Sequence, residues 1–188
     1  MKVIGFNGSP RKNGNTNILI SHMFRELEKE GIETELVQLS EKEIHGCIAC
    51  YKCVQNKDRE CSVKNDAANE YIGKMTKSQG IILGSPVYFT DVTPEMKALI
   101  DRSGFVARAN GGMFRNKVGA AVAAVRRTGA MHAVDSMNHF FLSTDMVIVG
   151  RGIGVGRERG DVEKDDEGLQ LVKDLGHRMA WLIKKLYG

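Results

Sequence analysis

The sequence has no hydrophobic run that approaches the roughly 18 residues needed to cross a membrane. Its N-terminus lacks the apolar core of a signal peptide. The 27 Lys and Arg residues exceed the 23 Asp and Glu residues only slightly, and they form no polybasic block. These absences argue against a membrane-bound, secreted or nucleic-acid-binding protein. We therefore expect a cytoplasmic protein with no nucleic-acid partner and no membrane partner.

Two familiar phosphate-binding motifs are absent near the N-terminus. A P-loop has four residues between its glycines and a lysine before its Ser or Thr, but five residues separate Gly8 from Gly14, and Asn15 precedes Thr16. The G-x-G-x-x-G pattern of a Rossmann fold is not found among these glycines either. The chain therefore has neither of the two standard nucleotide-binding loops.

A different phosphate-binding loop is present. An apolar segment at residues 2–6 stops in a loop rich in Gly, Ser and Asn, and a helical pattern follows directly. Such a loop directs backbone N–H groups and short hydroxyls at one anion, and the positive end of the helix dipole adds to the attraction. Arg11 supplies a charged clamp. The segment predicts a cradle for one terminal phosphate, with an ordinary Gly/Pro-rich turn as the alternative.

Strand-like and helix-like segments alternate along the chain. The wholly apolar segment 81–83 is typical of a parallel strand covered on both faces, and Thr93 before Pro94 marks a helix start. Five strands alternating with five helices predict a single α/β domain, residues 1–188, with a doubly wound parallel sheet. The predicted strands are 2–6, 34–39, 81–83, 118–125 and 146–149, and the predicted helices are about 16–30, 66–77, 93 onward, 131–142 and 167–186.

The sequence carries no pattern for catalysis by side chains. No combination of Ser, His and Asp, or of Cys and His, indicates a nucleophilic enzyme, so we assign no catalytic residue. Segment 150–156 has glycine at every second position, but no strand-to-helix step follows it at dinucleotide spacing. We expect this segment to be a mobile loop rather than a nicotinamide site.

All four cysteines lie within fifteen residues, as C-x2-C-x2-C-x7-C at Cys47, Cys50, Cys53 and Cys61. A cytoplasmic chain is not expected to use them in disulfides. Zinc sites usually combine two separated C-x2-C pairs, whereas three cysteines in steps of three resemble a loop around a [4Fe–4S] cluster. The pattern favours an iron–sulfur cluster in a cysteine-rich insertion at about 40–64, after the second strand. A zinc site and metal-free thiols are the alternatives.

Together these motifs resemble the iron–sulfur flavoproteins, a subgroup of the NADPH-dependent FMN reductase-like flavodoxin superfamily. The resemblance runs nearly from end to end. The phosphate loop and the Ser-Pro-Val-Tyr loop are specific to the superfamily, and the cysteines point to the subgroup. The motifs are Gly8-Ser9-Pro10-Arg11 with Gly14-Asn15-Thr16, the cysteine run, Gly84-Ser85-Pro86-Val87-Tyr88-Phe89, Met96-Lys97-Ala98-Leu99-Ile100-Asp101-Arg102 and Gly160-Asp161-Val162-Glu163-Lys164-Asp165.

The resemblance implies a flavodoxin-like fold with sheet order 2-1-3-4-5, FMN at the strand ends and a [4Fe–4S] cluster held by the four cysteines. It also implies a homodimer or tetramer in which a neighbouring subunit completes the flavin site. Three loops would contact FMN. The first would supply Ser9, Arg11, Asn15, Thr16 and Asn17 to the phosphate, the second Pro86, Val87, Tyr88 and Phe89 along the ring, and the third Val125, Arg126 and Thr128 at its pyrimidine side.

Two of these assignments have a structural alternative. Tyr88 and Phe89 could instead form a hydrophobic plug under their loop, and Arg126 with Arg127 could be a solvated pair. As a flavin contact, a cation on the third loop would stabilise the reduced, anionic flavin and raise its potential.

The resulting hypothesis is an FMN-dependent oxidoreductase, similar to NAD(P)H-dependent FMN reductases, in which the flavin supplies the chemistry. It would pass electrons from ferredoxin or NAD(P)H to a small-molecule acceptor. A cluster moves one electron at a time, so ferredoxin is the favoured donor and NAD(P)H the second choice. Two alternatives are a redox carrier without its own substrate and a flavodoxin-fold binding protein with structural zinc.

Overall fold

Five parallel strands form the central sheet. The computed structural model describes residues 1–188. The strands pair in the order β2-β1-β3-β4-β5, and all four pairings are parallel. This confirms the predicted fold class and strand order. The strands are β1 (Lys2–Asn7), β2 (Glu33–Gln38), β3 (Gly80–Pro86), β4 (Val118–Val125) and β5 (Val147–Val155).

Six α-helices connect or follow the strands. The sequence predicted all of them except one short turn of helix inside the cysteine-rich segment, which has no buried residue and so no apolar pattern to detect. Thr93 caps the helix that begins at Pro94, as predicted, because its side chain accepts the Met96 N–H. The helices are α1 (Asn15–Lys29), α2 (Lys52–Asn56), α3 (Ala68–Lys77), α4 (Pro94–Ala109), α5 (Ala130–Ser143) and α6 (Asp166–Tyr187).

Helices cover both faces of the sheet. Helices α1 and α6 pack on one face around 19 buried apolar residues, and α3, α4 and α5 pack on the other around 22. Strand β4 is buried along its whole length, as expected of a strand between two helical layers. None of the helices is both long and apolar enough to pass through a membrane. With both faces covered, the carboxyl edge of the sheet is left as the place for a ligand.

The glycine-rich segment 150–156 is not the mobile loop that we expected, because all but its last residue belong to β5. Helices pack directly on this strand. A Cβ at Gly152 would lie 2.5 Å from Val172 Cγ1, and a Cβ at Gly154 would lie 2.7 Å from Leu19 Cδ2. The prediction of a loop was wrong because these glycines leave room for side chains of α6 and α1 to pack against the strand. They do not interrupt the strand.

Candidate functional site

Three loops that follow β1, β3 and β4 lie together at the carboxyl edge of the sheet. They are joined by hydrogen bonds and close contacts, described below. Each of them contains residues that the sequence analysis assigned to a flavin site. They are the phosphate loop (residues 8–14), the second loop (87–93) and the third loop (126–129).

Hydrogen bonds and close packing fix these loops relative to one another. The Thr93 hydroxyl donates to the Gly8 carbonyl at 2.9 Å. A Cβ at Gly8 would lie 2.9 Å from Thr93 Oγ1 and 3.2 Å from the Gly84 carbonyl, so a larger residue would push the phosphate and second loops apart. Gly129 has a φ of +89°, and a Cβ there would lie 3.0 Å from Val87 Cγ1. Thr93 was predicted only as a helix cap; its link to the phosphate loop has no sequence signal.

The start of α1 presents unpaired N–H groups to the phosphate loop. Its N-cap, Gly14, has no side chain that could cap the helix. The first N–H of the helix that donates to a backbone carbonyl is that of Ile18, which reaches the Gly14 carbonyl at 3.0 Å. The N–H groups of Asn15, Thr16 and Asn17 are therefore without helical partners. Together with the helix dipole they form a site for an anion.

Thr16 has a buried hydroxyl that is left without a partner. Its side chain is buried, with 1% exposure, and its Oγ1 has no hydrogen-bond partner. Leaving a buried hydroxyl unpaired costs about 1–3 kcal/mol, so native proteins normally pair it. Ser9 is also buried, and its hydroxyl accepts the Arg11 N–H at 3.2 Å. A phosphate oxygen at the start of α1 would give the Thr16 hydroxyl its missing acceptor.

Arg11 and Asn17 are placed at the rim of the phosphate loop. The Arg11 side chain is exposed and forms neither a hydrogen bond nor an ion pair within the protein. Asn17 is half-buried, and its Oδ1 accepts the Ser21 hydroxyl at 3.4 Å. The guanidinium of Arg11 is thus available to an anion, while Asn17 offers chiefly its backbone N–H.

The side chain of Asn15 is used to fix a neighbouring loop. Its Nδ2 donates to the Glu158 carbonyl at 2.9 Å, and its Oδ1 accepts the Gly160 N–H at 2.8 Å. The Arg159 Nε donates to the Asn13 carbonyl at 3.1 Å. This fourth loop, which follows β5, was not predicted as part of the site. Because 150–156 was interpreted as a loop, the true end of the strand was not recognised.

The second loop contains a tight turn at Tyr88 to Asp91. The N–H of Tyr88 donates to the Asp91 carbonyl at 2.8 Å, and the Asp91 N–H donates back at 3.1 Å. The central residues Phe89 and Thr90 have φ values of +46° and +76°, which are typical of a type I′ turn and are normally adopted by Asn or Gly. Phe89 is fully exposed and Tyr88 is 46% exposed. The alternative of a hydrophobic plug is therefore wrong.

Asp91 anchors this turn to α5. Its Oδ1 accepts the Ser136 hydroxyl at 2.8 Å and the Val92 N–H at 2.7 Å, and His132 Nε2 lies 3.5 Å from its Oδ2. Burial on its own would raise the pKa of Asp91, but these hydrogen bonds hold it below its usual value. The charged carboxylate thus keeps the strained turn in place.

The third loop presents cations to the same edge. Val125 is buried at the end of β4, where its carbonyl accepts the Gly156 N–H at 2.9 Å. Arg126, Arg127 and Thr128 are exposed, and their side chains form no hydrogen bond or ion pair within the protein. This placement is compatible both with a flavin contact and with a solvated pair.

The four cysteines line one cavity beside α4. The enclosed part of the cavity is small, about 20 Å³, and the rest is open to solvent. Its lining is mostly hydrophobic and includes Phe105 and Val106 of α4. Cys47 and Cys50 are exposed, whereas Cys53 and Cys61 are partly buried. No group of three or more His, Cys, Asp or Glu side chains is arranged to hold a single metal ion.

The thiols influence one another. Burial raises the pKa of Cys53, and the charges of Cys61 and Cys47 raise it further. The Ser62 hydroxyl lies 3.4 Å from the Cys50 sulfur and, with the Lys52 N–H, lowers the pKa of Cys50. Four thiolates in this cavity would repel each other unless a positively charged group were bound between them.

Comparison with known proteins finds relatives along nearly the whole chain. A model of the family described as NADPH-dependent FMN reductase matches residues 1–158. An iron-sulfur flavoprotein of Methanocaldococcus jannaschii is 41% identical over 194 positions that cover 98% of each chain. One of Methanosarcina thermophila is 32% identical over 98% of this chain and 96% of its own. A flavodoxin structure from the domain Archaea superposes with a TM-score of 0.63 at 18% identity, covering 98% of this chain and 99% of that one.

Proposed function

The chain belongs to the NADPH-dependent FMN reductase family and, within it, to the iron–sulfur flavoproteins. From this membership we propose that the protein relays electrons through FMN and a [4Fe–4S] cluster to a small-molecule acceptor. Bound FMN would exchange one or two electrons, and the cluster would exchange one. The observation that carries the proposal is the cavity lined by all four thiols, because flavin reduction alone would not require it.

The phosphate loop would hold the FMN phosphate. The N–H groups of Asn15, Thr16 and Asn17 would donate to its oxygens, and the buried Thr16 hydroxyl would donate as well. Arg11 would pair with the remaining charge at the rim. There is one such cradle and no second phosphate motif, which supports FMN over FAD. Asn15 would act through its N–H, since its side chain holds the fourth loop.

The second and third loops would hold the ring. Pro86 ends β3 and Val87 follows it directly, and Tyr88 and Phe89 would exclude water from one side of the ring. On the third loop, Arg126 would stabilise negative charge at the pyrimidine side of the ring. Val125 and Thr128 would place that loop against the same side.

The cysteine segment would hold the cluster. The cysteine spacing supports a cluster over zinc, because zinc sites usually combine two separated C-x2-C pairs, whereas three cysteines in steps of three resemble a loop around a [4Fe–4S] cluster. The start of the segment is joined to the phosphate loop, since Lys12 Nζ lies 2.6 Å from Glu41 Oε1. From there the segment runs along α4: its cysteines line a cavity with Phe105 and Val106, and the Arg59 N–H donates to Asn110 Oδ1 at 2.8 Å just past the end of that helix.

A one-electron donor such as ferredoxin is the donor that this arrangement favours. NAD(P)H is the alternative, because a hydride could reduce the flavin without the cluster. The acceptor would reach the flavin over the exposed second loop.

The variant Cys50→Ser tests the relay. We expect it to keep FMN and to remain chemically reducible, but to lose reduction by ferredoxin, measured anaerobically by stopped-flow absorbance. Gln55→Ser, an exposed change in α2 outside the cavity, is the control and should behave as wild type. A Cys50→Ser protein that accepts electrons from ferredoxin at the wild-type rate would contradict the proposal.

A further inference from the structure

Arg102 of α4 is a buried charge at the cysteine cavity. Its side chain is 1% exposed, and it lines the cavity together with the four cysteines. A buried guanidinium needs a counter-charge and acceptors for its N–H groups. Asp66, whose side chain is fully buried, supplies the charge in an ion pair with Nη1. Arg102 belongs to one of the motifs that carry the family resemblance, but its sequence position predicted no role for it.

Two N–H groups of Arg102 close the cysteine segment. Nη1 donates to the His45 carbonyl at 3.2 Å, and Nη2 donates to the Val63 carbonyl at 2.8 Å. His45 precedes the first cysteine by two residues, and Val63 follows the last by two. Asp66 adds to this closure, because its carboxylate accepts the His45 N–H at 2.9 Å. One buried ion pair thus holds both ends of the segment that carries the thiols.

The third side of the guanidinium has no partner. Arg102 Nε is buried and forms no hydrogen bond of standard geometry. Burial on its own lowers the pKa of Arg102, whereas the Asp66 carboxylate and the Cys61 thiol raise it above its usual value. Cys61 and Arg102 also line the same cavity. An N–H that is buried, charged and unpaired beside a thiol is positioned to donate to that sulfur once it is a thiolate.

We propose that Arg102 is a positioning residue of the cluster site. Its Nη1 and Nη2 groups close the cysteine segment, and its Nε–H group donates a hydrogen bond to the Cys61 thiolate. This inference rests on the proposed function, since it requires a cluster at the four cysteines. An N–H donated to a cluster ligand stabilises the more negative, reduced state. Arg102 would therefore raise the reduction potential of the cluster.

The potential of the cluster tests this role. Redox titration followed by electron paramagnetic resonance would compare the wild type, Arg102→Lys and Arg102→Gln. The lysine cannot reach all three acceptors, and the glutamine also lacks the charge. In Arg102→Lys we expect the equilibrium to shift at least tenfold toward the oxidised cluster, which lowers the reduction potential by about 59 mV for one electron. In Arg102→Gln we expect a larger shift in the same direction. Arg108→Gln, an exposed change on the same helix, is the control and should leave the potential unchanged.

Two outcomes would overturn the inference. One is a cluster-loaded Arg102 variant with the wild-type potential, because a merely structural role would lower cluster content without moving the potential. The other outcome needs no variant. Wild-type protein with ¹⁵N-labelled arginine would be studied by pulsed electron paramagnetic resonance, and the absence of coupling between an arginine nitrogen and the cluster would contradict the inference. Arg102 is the arginine that lines the cavity, so we expect coupling from one Nε. Protein without labile sulfide would instead contradict the proposed function itself.

Discussion

At the scale of the residue, Thr16 would link folding to cofactor binding in the proposed function. Its unpaired, buried hydroxyl is a cost to the ligand-free protein, and a phosphate oxygen would remove that cost. Loops that bind anions commonly combine such hydroxyls with free N–H groups at a helix start. The same side chain should therefore oppose stability without ligand and favour binding with it.

Replacing Thr16 by valine separates these effects, since valine keeps the shape and removes the hydroxyl. We expect FMN to bind about tenfold to a hundredfold more weakly, because a hydrogen bond to a charged group is worth about 1.5–3 kcal/mol. The free energy of unfolding of the FMN-free protein should stay the same or rise. Titration calorimetry and urea denaturation measure the two quantities.

Two controls accompany this variant. Thr16→Ser keeps the hydroxyl and should bind FMN nearly as tightly as the wild type does. Riboflavin has no phosphate, so it should bind the Thr16→Val protein and the wild-type protein with the same affinity. An unchanged Kd for FMN in Thr16→Val would show that the hydroxyl does not contact the phosphate.

At the scale of the element, the second loop stores strain in a turn. Phe89 and Thr90 both have positive φ, which costs about 1–2 kcal/mol for residues other than glycine. The turn persists because Asp91 is anchored to Ser136. A bulky, exposed ring held in an unfavourable backbone conformation points to a function for that ring.

The double variant Phe89→Asn with Thr90→Gly installs the preferred sequence of a type I′ turn. We expect it to raise the free energy of unfolding by about 1–2 kcal/mol and to weaken FMN binding, because the ring is lost. Thr90→Gly alone should gain stability and keep FMN affinity. If the double variant is stabilised and still binds FMN at full strength, Phe89 has no part in the flavin site.

The close packing of helix α6 on strand β5 gives a second prediction at the scale of the element. Gly152→Ala would place a Cβ 2.5 Å from Val172 Cγ1, so we expect it to destabilise the protein by about 1–3 kcal/mol. Gly73→Ala is the matched change in α3, where a Cβ meets nothing within 4 Å, and it should stabilise by about 0.5–1 kcal/mol. Urea denaturation checks both. Equal effects would show that Gly152 does not admit the α6 side chain.

Periodicity and caps were enough to predict most elements. Helix α1 begins within one residue of its predicted start, and Thr93 caps α4, because these signals are local in sequence. The extent of β5 was not predictable in this way, since its glycines reflect contacts with Val172 of α6. The role of Asn15 was missed for the same reason: its partner Glu158 lies 143 residues away.

At the scale of the whole molecule, exposed apolar side chains surround both candidate sites. Phe89 is fully exposed on the second loop, and Ile48 and Tyr51 are 69% and 56% exposed beside the cysteines. Clusters of this kind usually mark an interface. We propose a homodimer or tetramer in which a second copy covers the flavin edge and places one subunit's cluster near another's flavin.

Light scattering of FMN-loaded protein tests the assembly. We expect an oligomer, and Ile48→Lys should weaken it by placing a charge in the interface. Trp181→Lys is the control, because Trp181 is 62% exposed on α6, away from both sites, and its change should leave the mass unaltered. A monomer with full FMN occupancy would contradict the proposed assembly.

The composition of anaerobically purified protein tests the central claim most directly. Iron, acid-labile sulfide, zinc and FMN would be assayed on the same sample, together with its absorbance spectrum. The proposed relay predicts about four irons, about four sulfides and one FMN per chain, with little zinc. Stoichiometric zinc without labile sulfide would show that the four thiols form a structural site and that no electron passes through them.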